Sequence, residues 1–403
     1  MSEQKKVKNN AVEFWRIVFT IGVMFFHFNL FARLMGMGQF PMDGIFKGGF
    51  VLGFFLFLTG YFMMASYMKK DAKGLIDREN AYKPAWGYFW SRYKGLVPPL
   101  VLGTLLSFIL RNIAVGTPLK DIPVYLMRAA FEFVGLYQIG MNGMSDSGAN
   151  AQLSEILGQQ APSGPLAGIS SGATPLWMGP GWYISAIIVV SVIIYWILCK
   201  HKDFFIGVFC PLMIIGYYGY TGMTGLESSN VRESLNFLQL PGNIMRVTAG
   251  LCVGCLMYFV VQWIKDRQVA ENHKVGWGIF ATIVTLFSVY TLWAGIEWSE
   301  TQNNFPLILM TVIALVGKDP ISNFLNGPMG KISGFLGKIS LYFYVGHWGW
   351  LAVLPVWFPD MAYLPMAGLY VLFTTITAVV FMLIHDKCIK PLLDKPKQKI
   401  AAA

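Results

Sequence analysis

Long apolar runs alternate with short polar segments along this chain, and the runs set its architecture. Ten of them are long enough, or nearly so, to span a bilayer at about 20 residues each. They are Phe14–Ala32, Phe46–Met68, Gly95–Leu110, Trp182–Cys199, Phe204–Tyr220, Asn243–Ile264, Val275–Ala294, Phe305–Val316, Ile339–Phe358 and Met366–Ile384. The runs are continuously apolar and do not alternate with period two, so strands are disfavoured. Backbone groups in lipid must be satisfied within their own segment, so each run predicts a helix. The expectation is an all-α, polytopic membrane helix bundle of about ten transmembrane helices.

Charge orients the bundle. With the N-terminus placed inside and the spans alternating, the inner segments carry 23 Lys/Arg and the outer ones seven. This is the positive-inside pattern, and it places both termini in the cytoplasm. Composition agrees with a membrane chain: 55% of the 403 residues are hydrophobic and only 13% are charged. The mean hydropathy is +0.53. A soluble surface usually draws on about 25% charged residues. The net charge of +10 therefore reflects topology and gives no reason to expect nucleic acid. Residues 1–390 read as one membrane domain and 391–403 as a cytoplasmic tail, with Ala401-Ala402-Ala403 set aside. No cleavable signal peptide is expected, because the basic N-terminus runs into a spanning segment with no small-residue cleavage pattern.

Two connections stand out. Residues 69–94 form a basic cytoplasmic loop with seven Lys/Arg. Residues 111–181 form a long outer loop, rich in Gly, Ser, Ala and Gln between Ser145 and Ser171. Loops this long usually carry function or lack structure. Leu126–Leu136 has amphipathic helical spacing and is expected at the membrane surface. The pair Cys252-Val-Gly-Cys255 has no second pair near it and reads as packing, so no metal site is expected.

Ionisable groups inside spans are costly and mark candidate chemistry. The first span holds Glu13, Arg16 and His27. Glu13 and Arg16 are neighbours at i,i+3. Arg16 and His27 lie eleven residues apart, close to whole turns, on one stripe with Thr20 between them. The ninth span holds His347 among Tyr344, Trp348 and Trp350. A neutral imidazole can take a proton from a hydroxyl and return it to a leaving group. Glu13, Arg16, His27 and His347 are the candidate catalytic residues.

The order of motifs resembles the acyltransferase-3 family of integral membrane O-acyltransferases. Arg16-Ile-Val-Phe-Thr-Ile-Gly-Val-Met-Phe-Phe-His27 is similar to that family's Arg-x10-His. Gly53-Phe-Phe-Leu-Phe-Leu-Thr-Gly-Tyr-Phe62 is similar to its second span, and Tyr88-Phe-Trp-Ser-Arg92-Tyr-Lys94-Gly-Leu-Val-Pro98 to its basic entry into the third. Gly181-Trp182-Tyr-Ile-Ser-Ala186, Arg246-Val-Thr-Ala-Gly250 and Leu336-Gly-Lys-Ile-Ser340-Leu-Tyr-Phe-Tyr344-Val-Gly-His347-Trp complete the series. Two positions depart from the family pattern. Gly95, beside Lys94, stands where a second Arg is common, and Ile187 where many members have Glu, so a role needing that carboxylate has no residue to carry it.

The resemblance implies an acyl-coenzyme A donor, in the first instance acetyl-CoA, bound from the cytoplasm. It implies O-acetylation of a hydroxyl on a cell-envelope glycan or polysaccharide, and a multi-pass protein of the bacterial cytoplasmic membrane. Coenzyme A is phosphorylated, so Lys69, Lys70, Arg92 and Lys94 are the expected donor-binding residues. Trp182, Arg246 and Tyr344 are expected to line the acceptor side. His27 would act as general base, with Arg16 orienting the donor or offsetting developing charge. The expected partners are membrane lipid, acyl-CoA and the glycan acceptor; homo-oligomerisation is left open. The alternatives are a transporter or flippase of a lipid-linked glycan, using Arg16 and His27 as an ion relay, and a non-catalytic subunit of a polysaccharide assembly. Duplicated halves and matching broken spans would favour transport, and neither is visible.

Overall fold

The computed structural model describes residues 9–34, 51–115, 179–224, 242–293 and 300–393, with positions 119, 120, 122, 123, 126 and 133–135 between them. The described elements are helices, with no strand among them. In chain order the helices that matter here are α1 (Asn10–Leu34), α2 (Leu52–Asp71), α3 (Tyr82–Val115) and α4 (Gly181–Lys200). They continue with α5 (Lys202–Met223), α6 (Gly242–Asp266), α7 (Lys274–Trp293) and α8 (Glu300–Val316). The short α9 (Pro320–Asn326) precedes α10 (Gly330–Trp357) and α11 (Tyr363–Ile384). The outer segment 136–178, positions 127–132 and 136 of the expected surface helix Leu126–Leu136, and the tail after 393 lie outside the described residues.

By length and composition, eight of these helices could cross a membrane, or nine if the bent pair Thr301–Val316 and Pro320–Asn326 counts as one span. The second of the ten expected spans, α2, is not among them. Its last turn is Lys69-Lys70-Asp71, which shortens its apolar stretch. Long helices satisfy every backbone group internally, the requirement that lipid imposes. Apolar side chains such as Val275, Ile279, Ile283 and Leu286 on α7 point outward and are exposed, as a lipid-facing helix requires.

Helix α3 begins well before the expected span start at Gly95, and it carries Pro98 and Pro99 in its interior instead of at its entrance. Its 34 residues give a rod of about 50 Å, far longer than a bilayer core of about 30 Å. Trp86 and Trp90 are exposed on its first turns and pack on each other at 5.7 Å, an arrangement suited to the membrane–water boundary. Within the segment 69–94, Lys69 to Asp71 belong to α2 and Tyr82 to Lys94 to α3. The connection itself is residues 72–81.

Helices α1 and α10 run parallel: Glu13 lies against Gly337 and His27 against His347. Helix α3 is parallel to α10 on another face, with Gly103 against Val345 and Gly349 against Ser107. Helix α11 returns antiparallel, with Trp350 against its Phe373 and Lys338 paired with Asp386 just past its end. Helices α2 and α6 also run parallel and touch backbone to backbone. A methyl on Gly60 would sit 2.1 Å from the Leu251 carbonyl oxygen, and one on Gly254 would sit 2.2 Å from that of Phe57. Small residues permit this approach where lipid offers no hydrophobic drive between helices.

Candidate active site

The site is built where α1 crosses α10. The His27 and His347 rings stack at 5.3 Å and 16°, and His27 Nδ1 lies 3.1 Å from His347 Nε2. His347 is fully buried. Its Nδ1 lies 2.6 Å from the carbonyl oxygen of Tyr344, one turn back on the same helix. A carbonyl only accepts, so His347 Nδ1 carries the proton. With both rings neutral, His347 Nε2 accepts from His27 Nδ1–H, and the lone pair of His27 falls on Nε2. Helix geometry thus selects the tautomer through a backbone atom that no side-chain substitution removes.

Aromatic rings frame the pair. Trp348 meets His27 edge-on at 5.2 Å. A methyl on Gly179 would lie 2.6 Å from the Trp348 ring, so the entry to α4 closes on that indole. Tyr344 donates its hydroxyl to the Pro180 carbonyl at 2.7 Å, and its ring is 5.9 Å from His347. Tyr183 follows at 6.3 Å from Tyr344, and Arg246, itself buried, is within electrostatic range of Tyr183. Of the residues expected on the acceptor side, Tyr344 meets His347 directly, and Arg246 is linked to it through Tyr183. Trp182 is buried and packs edge-on against Tyr183 at 5.9 Å. A small apolar cleft beside the pair is lined by Phe28, Phe31, Leu351, Leu354, Pro355 and Tyr370.

Arg16 stands elsewhere. It donates to Glu13 at 2.9 Å and is about one-third exposed, about 16 Å along α1 from His27 at 1.5 Å per residue. Glu13 sits against Gly337, where a methyl would fall 2.1 Å from its Oε2. Arg16 and His27 share a stripe, as expected. They form two stations on it, with Thr20 buried between them and donating to the Arg16 carbonyl at 2.8 Å.

A third station lies where α2 ends and α3 begins. The Tyr88 and Tyr195 rings stack at 4.5 Å and 7°, and Tyr67 packs edge-on against Tyr195 at 6.3 Å. Arg92 lies 5.2 Å over the Tyr88 ring and donates to its hydroxyl at 2.9 Å. Lys70 lies 5.6 Å over Tyr195. These are cation–π contacts that hold two cations on one aromatic stack. Lys202 bridges Asp71 at 3.1 Å, and Arg78 reaches the same carboxylate at 3.3 Å. Of the four expected donor residues, Arg92 lies on Tyr88 and Lys70 on Tyr195 of this stack, while Lys69 and Lys94 are exposed. Tyr67, Tyr195, Asp71 and Lys202 were not among the expected site residues. The Tyr88-to-Arg92 spacing of i,i+4 was the available signal.

Comparison with known proteins bears on this arrangement. Residues 9–385 match a family described as an acyltransferase domain, Acyl_transf_3. The chain belongs to the acyltransferase-3 family. The match takes in all three stations, from Glu13 and Arg16 through Arg92 to His347. It makes the protein a membrane acyltransferase, and the transporter reading loses its basis. No curated protein and no solved structure matches the chain.

Proposed function

We propose that this acyltransferase moves an acyl group, in the first instance acetyl, from acyl-CoA to a hydroxyl of a cell-envelope glycan or other sugar-bearing acceptor in the bacterial cytoplasmic membrane. His27 Nε2 is the general base. The observation that carries the reading is the hydrogen-bond chain from the Tyr344 carbonyl through His347 to His27, which leaves a lone pair on one defined nitrogen. The phosphates of coenzyme A bind the Arg92 guanidinium and the Lys70 ammonium at the Tyr88–Tyr195 stack, cations whose donors suit phosphate oxygens. The pantetheine arm then passes the Arg16–Glu13 pair toward the histidines, and the acceptor enters from the Tyr183–Arg246 side.

His27 Nε2 takes the proton of the acceptor hydroxyl as its oxygen attacks the thioester carbonyl carbon. The tetrahedral intermediate collapses with rupture of the C–S bond. The departing thiolate takes the proton from the imidazolium, giving an ester and coenzyme A. His347 is a positioning residue that holds the His27 ring and its tautomer. The test is release of coenzyme A and transfer of radiolabel from acetyl-CoA by the purified protein, with and without envelope glycan. His27→Ala is expected to abolish both, and wild-type rates in that variant would remove His27 from the mechanism.

A further inference from the structure

Asn304 is buried to 1% exposure near the start of α8, yet neither its side-chain oxygen nor its side-chain nitrogen has a hydrogen-bond partner. Buried amides are almost always paired, because leaving one unpaired costs stability. The side chain is aimed at the first turn of α2: a methyl on Gly53 would lie 2.5 Å from Asn304 Oδ1. In that turn the Phe54 amide donates to the Val51 carbonyl at 3.2 Å. Val51 at its entrance makes no side-chain cap, and no acidic residue lies in the first turn. Val51 and Phe54 are fully buried, so water does not readily serve the other amides at the start of the helix.

Three more observations place positive potential in the same layer. Leu56 packs on Gly250 and Gly60 on Gly254, so four residues back along both parallel helices Leu52 is level with the buried Arg246. Tyr183 donates to the Leu52 carbonyl at 3.3 Å, which brings the start of α4 to this level. Neither α4 nor α6 has an acidic residue in its first turn. Helix N-termini carry partial positive charge and unpaired N–H groups, a natural seat for anions. From Leu52 the seam continues through Tyr183 and Tyr344 to His347.

We propose that Asn304, the first-turn amides of α2 and the Arg246 guanidinium form a subsite for an oxyanionic group, carboxylate or phosphate, carried by the acyl acceptor. Only the naming of the ligand as acceptor rests on the acyltransferase reading. The donors here are amide N–H groups and a guanidinium, which an anion's oxygens match and a bare alcohol does not. Gly53 belongs to the same device, since any side chain there would displace the Asn304 amide.

The test is thermal denaturation of the detergent-purified protein, titrated at constant ionic strength with glucuronate, glucose 6-phosphate or glucose. One or both anionic sugars are expected to raise the melting temperature, and glucose is not; which anion acts identifies carboxylate or phosphate. The shift is expected to persist in Arg92→Ala, which disables the donor station. It is expected to vanish in Asn304→Asp, which keeps the shape and adds a repelling charge, and to need at least tenfold more ligand in Asn304→Leu. An absent shift, a shift equal in Asn304→Asp, or one lost in Arg92→Ala alone overturns the subsite. A wild-type protein that turns over no acetyl-CoA would sink the acyltransferase chemistry proposed above and leave this binding result standing.

Discussion

His27 Nδ1 lies 3.1 Å from His347 Nε2, although the two residues are 320 positions apart in the chain. His347 is in turn anchored to a main-chain carbonyl. Its job is to accept one hydrogen bond, which a glutamine side-chain oxygen can also do. His347→Ala is expected to lower the rate of acyl transfer by at least about tenfold. His347→Gln should recover a substantial part of it with the same KM for acetyl-CoA. Equal loss in both variants would show that His347 acts by some other means.

The aromatic stack gives a contrast between two neighbouring cations. Arg92 is half-buried on Tyr88, whereas Lys94 is exposed. Arg92→Ala should raise the KM for acetyl-CoA by roughly tenfold or more, the worth of a charge-assisted contact, with kcat little changed. Lys94→Ala should shift it less than threefold. Steady-state kinetics decide; equal effects would mean that both charges serve topology alone.

The contact between α2 and α6 leaves no room for a side chain. Gly254→Ala would place a methyl 2.2 Å from the Phe57 carbonyl oxygen, and forcing the helices apart should cost about 1–3 kcal/mol. Gly87 on α3 has nothing within 4 Å, so Gly87→Ala should be neutral or gain up to about 1 kcal/mol of helix stability. Melting temperatures of the two variants check this, and a Gly254→Ala protein as stable as wild type would contradict the packing.

Asp71 clips the end of α2 to Lys202 after the corner that follows α4. Burial alone would push its carboxyl up, but hydrogen bonds from Lys202 and Arg78 outweigh it and hold the carboxyl below its ordinary range. A depressed folded value means the clip contributes fully above the unfolded carboxylate value of about 3.9. The contribution disappears as pH falls through the lower folded value. The melting-temperature gap between wild type and Asp71→Asn should therefore be widest near neutrality and close in acid. A gap that does not change with pH would show that the carboxylate charge contributes nothing.

Much of this was legible in the sequence because lipid leaves few options. Continuous apolar runs became helices, and the two histidines at depth, His27 and His347, met. What failed to show had physical causes. Helix geometry places Arg16 and His27 on one face about 16 Å apart, but it does not show that Glu13 would face Gly337 and His27 would face His347, which packing decides. Proline is usually read as a helix start, yet Pro98 and Pro99 fall inside α3 because the amphipathic Tyr82–Lys94 segment already forms helix outside the bilayer core. Tyr67 and Tyr195 carry no local signal in the sequence, since their stacking with Tyr88 runs across three helices. Asn304 precedes the apolar run Phe305–Val316, and only packing against Gly53 reveals its burial.

The most direct measurement is a double-mutant cycle on coenzyme A release, comparing wild type, His27→Ala, His347→Ala and the double variant under identical acetyl-CoA and acceptor. If His347 acts only by holding His27, the double variant is no slower than His27→Ala alone. Losses that multiply, so that removing His347 slows a protein already lacking His27, would contradict the relay.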